Sequence, residues 1–269
     1  MPNNILDKII KAKVLRLAEL KAAVSPEDIE AKARKLPPPA LDFLAALTAP
    51  KTSASGGTGI HVIAEVKKAS PSRGVLRDDF KPLDIAKAYL SAGASALSVL
   101  TEEDHFQGHD RYLRDISRSV ALPTLRKDFI VDPYQIFEAK VLGASAYLLI
   151  VACLKPQQLK DMIALGAELN LTPLVEAHTE DEVKIAVDAG SPIIGINNRD
   201  LKTFHTSLET TYRLRPLIPD GTPVVSESGI FKKEDLKALT EAKVQAALIG
   251  ESLIKQKDVA AALKELLSF

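Results

Sequence analysis

The chain has 269 residues, 46% of them apolar, and its 35 basic side chains balance 35 acidic ones at zero formal net charge. This length fits one or two domains, and the apolar fraction is that of a globular protein rather than a disordered one. A chain without net charge has no global positive field for a polyanion, which argues against binding nucleic acid or a membrane surface. No apolar run approaches the roughly 18 residues of a membrane span. The composition predicts a soluble protein in which any anion binds at a local site and not through an overall positive charge.

Cysteine content and the N-terminal sequence indicate the compartment. Cys153 is the one cysteine, which excludes an internal disulfide framework and a cysteine-rich metal site. The opening MPNNILDKIIKAK has neither the apolar core nor the cleavage site of a signal peptide. We therefore expect a protein of the reducing cytoplasm, with Cys153 as a buried, inert thiol.

The first fifty residues have helical patterns. Residues 5–23 place apolar side chains near helical spacing among Lys, Arg and Glu, which predicts an amphipathic helix. Ser25 and Pro26 have the types of an N-cap and a first helical residue, so a short second helix begins there and ends before Pro37. A linker follows, and residues 50–59 form a glycine-rich loop. We expect residues 1–50 to be a helical extension outside a catalytic domain of residues 51–269, the two making a single domain overall.

From residue 60 onward, short apolar or β-branched runs alternate with segments of helical period. Strands that alternate with helices pair in parallel through right-handed crossovers. Eight such units over about 210 residues predict an α/β fold of the closed (β/α)8 type, a TIM barrel. The predicted strands are residues 60–66, 96–100, 123–126, 146–151, 173–175, 193–196, 224–226 and 246–249.

A faint internal repeat supports the barrel. Three similar segments put Gly93, Gly143 and Gly190 between the end of a helix and an apolar strand, where a glycine C-cap is expected. The alternative is an open, doubly wound sheet. We favour the barrel because no Gly-x-Gly-x-x-Gly turn follows the first strand.

Charged and polar residues end several of the predicted strands. In a TIM barrel the active site lies at the carboxyl ends of the strands. The two-residue period of a strand points Ile63, Glu65 and Lys67 to one side, and aims Lys127 inward above Leu125. Clustered charges of both signs are costly unless they are paired, so such a cluster favours a working site. The residues expected to converge on one cavity are Glu65, Lys67, Lys127, Glu176, Asn197, Arg199 and Glu227.

The last two predicted strands are followed by turns suited to an anion. Ser228 and Gly229 follow the seventh strand, and Gly250 and Glu251 follow the eighth. Free backbone N–H groups at such turns can hold a phosphate, and barrels of this class bind one at these two strands. Ser70, after the first strand, could add a hydroxyl group.

Two other patterns do not indicate a ligand site. Residues 56–59 lack the Gly-Lys-Ser/Thr ending of a nucleotide-binding loop and precede the first strand, so we interpret them as a linker. His105 and His109 have the spacing of metal ligands on a helix, but the residues around them predict a loop. We expect no bound metal.

Several strings in this order resemble the indole-3-glycerol phosphate synthase family over nearly the whole chain. They are IAEVKKASPS at 63–72, LRKDFI at 125–130, LVE at 174–176, IGINNRDL at 194–201, SESGI at 226–230 and LIGES at 248–252. The resemblance implies a carboxy-lyase of tryptophan biosynthesis that converts 1-(2-carboxyphenylamino)-1-deoxyribulose 5-phosphate to indole-3-glycerol phosphate. It also implies a helical extension over the barrel mouth, and no metal or organic cofactor. We expect a monomer whose partner is this phosphorylated small molecule.

The resemblance assigns the acid of ring closure to a lysine. Lys127 resembles the residue that protonates the substrate ketone, and Lys67 the residue that pairs with the substrate carboxylate. An ammonium group suits this task because attack on a ketone builds charge on oxygen. We expect the second lysine to lower the pKa of the first toward a useful range.

Further roles follow from the same resemblance. Glu176 and Glu65 resemble the acid–base carboxylates for the loss of water and a proton, with Asn197 and Glu227 orienting groups around them. Arg199 is expected to reach the substrate or Glu65. The residues implied to bind the substrate are Phe106, Phe129 and Leu148 around its aromatic ring, and Ser70, Ser228, Gly229, Gly250 and Glu251 at its phosphate.

One stretch, residues 103–109, departs from the family pattern. The pattern has an aromatic residue nearer His105 and a small hydroxyl residue at the position of His109. The expected catalytic residues are all present. Alternative functions are phosphoribosylanthranilate isomerase, an aldolase forming a Schiff base on Lys127, or an inactive barrel that serves as a scaffold. Trapping with borohydride would identify the aldolase, whereas a scaffold should have lost some of the charged strand ends.

Overall fold

The computed structural model describes residues 5–200 and 203–269. Eight parallel strands close into a barrel in which each strand pairs with the next, and the eighth pairs with the first. The strands are β1 His61–Val66, β2 Ala96–Leu100, β3 Thr124–Lys127, β4 Ala146–Ile150, β5 Thr172–Ala177, β6 Ile194–Asn197, β7 Val224–Glu227 and β8 Ala246–Ile249. The predicted TIM barrel is confirmed.

Three helices precede the barrel, and the others surround it. The first three are α1 Ile5–Ala23, α2 Pro26–Lys35 and α3 Phe43–Thr48. The helices around the barrel are α4 Pro82–Ser91, α5 Asp110–Ser119, α6 Pro133–Leu142, α7 Pro156–Glu168, α8 Glu180–Asp188, α9 Glu209–Leu214, α10 Lys233–Glu241, α11 Glu251–Ile254 and α12 Val259–Leu266. A two-stranded hairpin, Ala69–Ser70 with Gly74–Val75, follows β1 and was not predicted.

Side chains inside the barrel alternate with side chains that face the helices. Ile63 and Leu125 are buried in one cluster inside the barrel, whereas their neighbours Val62 and Ala64 belong to the larger cluster under the helices. Because the period of a strand is two, each inward position is followed two residues later by another inward position. The inward rows therefore lead to the carboxyl ends of the strands, where the polar residues lie.

The predicted boundaries agree closely with the structure. Strands β2 and β8 have the predicted bounds, and the others differ by one or two residues at one end or at both ends. Gly93, Gly143 and Gly190 have positive φ angles of 93°, 89° and 75°. A left-handed residue is what ends a helix, and glycine adopts it without a Cβ clash, so the C-cap prediction is confirmed.

Helix α1 has the predicted bounds, and it contacts the mouth end of the barrel. Ile9 and Leu17 are buried, and Lys13 forms an ion pair of 2.7 Å with Asp128, the residue directly after β3. Both charged side chains are at least nine-tenths buried. A buried charge is costly unless it is paired, so this contact fixes α1 against the strand that carries Lys127.

Helix α3 lies where the sequence predicted only a linker. Asp42 caps it by accepting a hydrogen bond from the Ala45 N–H. Phe43 and Leu47 are fully buried in the cluster that fills the barrel interior. The expectation that residues 1–50 lie wholly outside the barrel was therefore wrong for this segment, because its apolar side chains pack into the barrel core. Residues 1–4 of the expected extension lie outside the described part of the chain.

In the described part of the chain, no helix is both long enough and apolar enough to cross a bilayer.

Candidate active site

The side chain of Lys127 lies between two buried carboxylates from other strands. Its Nζ atom is 2.9 Å from Glu176 Oε2 at the end of β5 and 2.6 Å from Glu227 Oε2 at the end of β7. Both carboxylates are almost fully buried. All three side chains line one cavity at the mouth of the barrel, together with Glu65 and Lys67. The sequence-predicted charged residues therefore meet in one place.

A second ion pair lies beside the first. Lys67 donates to Oε2 of Glu65, and the two residues are the last inward positions of the β1 row. A Cβ atom on Gly250 would lie 3.0 Å from Lys67 Nζ and would contact the Glu65 carboxylate even more closely. Gly250 is therefore needed for the close approach of this pair to the end of β8.

The pKa of Lys127 does not follow the sequence-based expectation. Burial on its own would lower this pKa, but the negative charges of Glu176, Glu227 and Glu65 raise it well above its ordinary value. We expected Lys67 to lower it. The expectation was wrong because Lys67 is itself paired with Glu65, and the groups that contact Lys127 are carboxylates. Lys127 is thus a fully protonated ammonium group at neutral pH.

The two carboxyl groups on Lys127 differ in their affinity for a proton. Burial raises the pKa of Glu227 to about 7. The negative charge of Glu176 adds to this rise, whereas the positive charge of Lys127 opposes it. Burial acts in the same direction on Glu176, but Lys127 and His178 hold its pKa well below the usual range. Oε1 of Glu227 is buried without a hydrogen-bond partner among the described residues. Two neighbouring carboxyls with separated pKa values can act as a base and an acid.

Asn197 contacts the second oxygen of Glu176. Its Nδ2 donates a hydrogen bond of 3.1 Å to Glu176 Oε1. The backbone N–H of Arg199 donates to Asn197 Oδ1 at 3.0 Å, which fixes the orientation of the amide group. Asn197 therefore orients the Glu176 carboxylate from the end of β6.

His178 is a neighbour of Glu176 that the sequence analysis missed. Its Nε2 lies 3.3 Å from Glu176 Oε1, and its Nδ1 lies 3.2 Å from Oε2 of Glu182. The signal was available, because His178 follows Glu176 by two residues and so continues the same inward row. The predicted strand ended at Val175, and the row was not followed far enough.

The turn after β7 adopts an unusual backbone. Ser228 and Gly229 both have positive φ, 67° and 79°. Asn198, which is 2% exposed, donates from Nδ2 to the carbonyl oxygens of Glu227 and Ser228 at 3.0 Å. Its Oδ1 accepts from the N–H and the hydroxyl of Thr211. Asn198, another residue that the sequence analysis missed, thus holds the turn that was predicted to bind phosphate.

Arg199 reaches across the mouth to the loop after β1. Its guanidinium donates to Ser72 Oγ and to Glu251 Oε2, each at 3.0 Å. The sequence analysis expected Arg199 to reach the substrate or Glu65. In the structure its guanidinium contacts Glu251 instead of Glu65. Glu251 also pairs with Lys255 at 2.6 Å. The Glu251 carboxylate therefore pairs with two cations, Arg199 and Lys255. Because it is itself an anion, it is suited to orient Arg199 and not to contact a phosphate.

Ser70 contributes an unpaired hydroxyl group to the same region. Its side chain is 5% exposed, and Oγ has no hydrogen-bond partner among the described residues. Ser70 lines the cavity together with Ser228, Gly229 and Gly250. A buried polar atom without a partner is costly, so a ligand oxygen that bonds to Ser70 would relieve that cost.

An apolar wall faces these charged groups. The rings of Phe106 and Phe129 are 6.1 Å apart between centroids, and Leu148 lines the same cavity. Ile5 and Ile9 of α1 line it from above. The mouth thus has an apolar part suited to an aromatic ring, beside the charged part.

The loop that departs from the family pattern is held by its own side chains. The buried carboxylate of Glu102 accepts hydrogen bonds from the N–H groups of His105 and Phe106, at 2.8 and 3.0 Å. Nδ1 of His109 accepts from the Arg111 N–H and caps α5. Serine and threonine hydroxyls can make the same N-cap contact, so His109 meets the capping need of α5 that a hydroxyl residue would meet. The predicted loop is confirmed.

Neither a metal site nor a reactive thiol is visible in the described part of the chain. No group of three or more His, Cys, Asp or Glu residues there is arranged to hold a metal ion. Burial, with the nearby charge of Glu176, raises the pKa of Cys153 to about 12. This thiol is therefore protonated at neutral pH, as an inert cysteine would be.

Comparisons with known proteins were made by sequence and by fold. The family model of indole-3-glycerol phosphate synthase matches residues 6–266. Indole-3-glycerol phosphate synthase from Lacticaseibacillus casei is 48% identical over 267 residues, which cover 97% of this chain and 99% of the relative. The protein of the same name from Dehalococcoides mccartyi strain CBDB1 is 46% identical over 266 residues, covering 98% of this chain and 100% of the relative.

Solved structures of low identity share the fold. The 3-hexulose-6-phosphate synthase of Salmonella typhimurium superposes with a TM-score of 0.64 at 9% identity, covering 77% of this chain and 96% of the other. Thiamine phosphate pyrophosphorylase from Pyrococcus furiosus gives a TM-score of 0.57 at 15% identity, covering 77% and 93%. At such identities the likeness concerns the barrel fold alone.

Proposed function

This chain belongs to the indole-3-glycerol phosphate synthase family, and we propose that the residues around Lys127 carry out the reaction of that family. The protein is a carboxy-lyase of tryptophan biosynthesis. It closes, decarboxylates and dehydrates 1-(2-carboxyphenylamino)-1-deoxyribulose 5-phosphate to indole-3-glycerol phosphate. The observation that carries the assignment of residues is the ammonium group of Lys127 between two carboxyl groups of separated pKa.

Lys127 is the acid of ring closure. The aromatic carbon that bears the carboxylate attacks the ketone carbon, and the ketone oxygen takes a proton from the Lys127 ammonium to become a hydroxyl group. Lys67, hydrogen-bonded to Glu65, pairs with the substrate carboxylate until carbon dioxide leaves. The electron pair of the broken carbon–carbon bond restores the aromatic ring. A positioned acid of this kind offsets the charge that develops on oxygen.

Glu176 is the base of the dehydration. It removes a proton from the ring methylene while the neighbouring hydroxyl leaves as water, with its proton supplied from the Lys67–Glu65 pair. Asn197 holds one oxygen of Glu176 at 3.1 Å, which leaves Oε2 for the proton. Glu227 contacts Lys127 at 2.6 Å and orients it between the two stages.

The phosphate binds at the turns after β7 and β8. Backbone N–H groups near Gly229 and Gly250, the hydroxyls of Ser70 and Ser228, and the guanidinium of Arg199 hold it. The unpartnered, buried Ser70 Oγ supports this position. Glu251 acts through Arg199, to which it is bonded at 3.0 Å.

The apolar wall takes the aromatic ring of the substrate. Phe106, Phe129 and Leu148 are apolar members of the cavity lining. Aromatic rings prefer edge-to-face or offset contacts with one another, so the anthranilate ring packs against Phe106 and Phe129 in this way. Its carboxylate then lies toward Lys67.

The test uses the purified chain and the carboxyphenylamino-deoxyribulose phosphate. Indole fluorescence should rise with wild-type protein and fall by about 10²-fold or more with Lys127→Ala. Borohydride added with substrate should trap no covalent adduct. An adduct on Lys127 would instead indicate a Schiff-base aldolase, and an unchanged rate in Lys127→Ala would contradict the assignment of the acid.

The setting of the enzyme is part of the same proposal. Residues 1–50 are an extension that forms one unit with the barrel of residues 51–269, which is supported by Ile5 and Ile9 lining the cavity. The active form is a monomer without nucleic-acid, membrane or cofactor partners, located in the cytoplasm. In support, one chain supplies every site residue named here, and the net charge is zero.

A further inference from the structure

The imidazole of His178 lies between two carboxylates. Nε2 faces Glu176 Oε1 at 3.3 Å, Nδ1 faces Glu182 Oε2 at 3.2 Å, and the side chain is 12% exposed. An ionised carboxylate only accepts hydrogen bonds, and a neutral imidazole carries a proton on one nitrogen alone. Nδ1 is hydrogen-bonded to Glu182, whereas Nε2 is buried without a hydrogen-bond partner among the described residues and faces Glu176 at ion-pair distance. Because both ring nitrogens face carboxylate oxygens, this environment favours the imidazolium form.

The start of helix α8 fixes this arrangement. Thr179 caps the helix by accepting from the Glu182 N–H at 3.2 Å. Glu182, in the first turn, reaches back and accepts from the backbone N–H of His178 at 2.7 Å. The same carboxylate oxygen thus holds both the backbone and the ring of His178, so the ring has little freedom to turn away from Glu176.

From this geometry we propose that His178, held by Glu182, is a positioning residue whose positive charge keeps Glu176 ionised during the dehydration step. The inference rests on the proposed function, in which Glu176 is the base. Asn197 donates to Oε1 and the imidazole of His178 faces that oxygen at 3.3 Å, so Oε2, which contacts Lys127, is the oxygen that takes the proton.

The charge of His178 matters most after ring closure. Lys127 has then given up its proton, so the cation that faced Oε2 of Glu176 is neutral. The imidazolium remains as a positive charge within 3.3 Å of the carboxylate. Without it, Glu176 would face a neutral amine and the charge of Glu227, and would take up a proton before the substrate needs a base.

Other charged and titratable groups face this pair from the surrounding elements. Burial on its own would lower the pKa of His178, but Glu176 and Glu182 raise it to about 10. The groups around the pair are Lys127 on β3, Glu227 on β7, Glu65 on β1, Cys153 after β4, and Asp7 on α1 beyond that cysteine. Of these groups, Lys127 is the cation that contacts Glu176. His178 is therefore the second positively charged group beside this carboxylate.

The first test is the pH profile of kcat in His178→Gln. Glutamine keeps a hydrogen-bond donor but removes the charge. An opposite charge at this distance lowers the pKa of a carboxyl by about 1 to 3 units, so the acid limb should move up by about one pH unit or more. Glu182→Gln should move it in the same direction by less. A uniform loss of kcat across about pH 5 to 9 with an unmoved limb would overturn the proposal, because a merely structural residue would give that result.

A matched control lies next to Glu182. Asp181 is in the same turn of α8 and also carries a negative charge, but its side chain is 88% exposed and pairs with Lys184. Asp181→Asn changes the net charge as Glu182→Gln does, without touching His178. Its profile should superpose on that of the wild type. A shift equal to that of Glu182→Gln would mean that overall charge, and not contact with His178, sets the limb, and would overturn the proposal.

A second test does not depend on turnover or on a variant that is active. The chain has five histidines, so the imidazole signals in a ¹H–¹⁵N spectrum of the wild-type enzyme are few. The signal missing from the His178→Gln spectrum identifies His178. Both ring nitrogens should stay protonated at about pH 8. Titration of His178 near the ordinary value of 6.5 would overturn the proposal while leaving the assay for indole formation unaffected.

Discussion

Removing the ammonium group of Lys127 should stop the reaction before carbon dioxide is released. In Lys127→Ala the ketone oxygen has no acid at the position where Nζ lay between Glu176 and Glu227. The two carboxylates also lose the cation that pairs with both. Since burial favours their neutral forms, the pKa values of both should rise, and this makes Glu176 a poorer base near neutral pH.

The size of the effect follows from the role of a positioned acid. General acid catalysis contributes about 10²- to 10⁴-fold, or about 2.7 to 5.4 kcal/mol of activation free energy. We expect kcat to fall by at least about 10²-fold in Lys127→Ala. KM should change little, because the turn at Ser228 and Gly229 and the side chain of Arg199 are separate from Lys127. Loss of kcat without loss of binding indicates a contact that acts in the transition state.

A single-turnover experiment separates this residue from Glu176. Substrate labelled in the carboxyl carbon is mixed with excess enzyme and quenched, and released label is compared with indole formed. Lys127→Ala should release neither. Glu176→Gln should release label and accumulate a decarboxylated, still hydrated species, since its defect comes later in the sequence.

The result that would refute this reasoning is specific. If Lys127→Ala releases label at the wild-type rate, then Lys127 is not the acid of ring closure. Lys67 would take its place, because its ammonium is the other one in the cavity near Glu65.

Two further predictions concern close packing and buried charge. Gly250→Ala should lower kcat by about 10²-fold as well as raise KM, since the new Cβ would displace the Glu65 carboxylate; steady-state kinetics that show a KM effect alone would contradict this. Lys13→Met removes the 2.7 Å partner of the buried Asp128, although Arg126 stays 3.6 Å from that carboxylate. The free energy of unfolding should fall by about 1 to 3 kcal/mol in a urea titration. Lys11→Met, an exposed lysine on the same helix, is the control and should cost nothing measurable; equal losses in both would refute the buried-pair argument.

Much of the barrel could be predicted because its signals are local. The two-residue period placed Glu65 and Lys127 on the inward rows. Gly143 marked the end of a helix, because a helix end commonly requires a residue of positive φ and glycine adopts it readily. Helix α3 could not be found in this way. Its six residues are too few for a clear helical period, and Phe43 and Leu47 are ordered by the barrel that they fill.

The missed parts of the candidate site depend on contacts between distant elements. The pKa of Lys127 rises because carboxylates from three other strands face it, which no local pattern reveals. The contact of Arg199 with Glu251 joins the loop after β6 to the start of α11. His178 differs from these cases, since the inward row of β5 pointed to it.

The long-range contacts of α1 bear on how the enzyme is made. Lys21 meets Asp132, which lies 111 residues further along the chain, and Arg16 meets Glu103. At a synthesis rate of about 5 to 20 residues per second, the helix waits on the order of ten seconds for these partners to emerge from the ribosome. Its apolar stripe around Ile9 and Leu17 is uncovered during that time. Helix α1, whose residues Ile5 and Ile9 line the cavity, is thus translated before the strands that it contacts, so a nascent chain acquires a complete site only after those strands have emerged and paired.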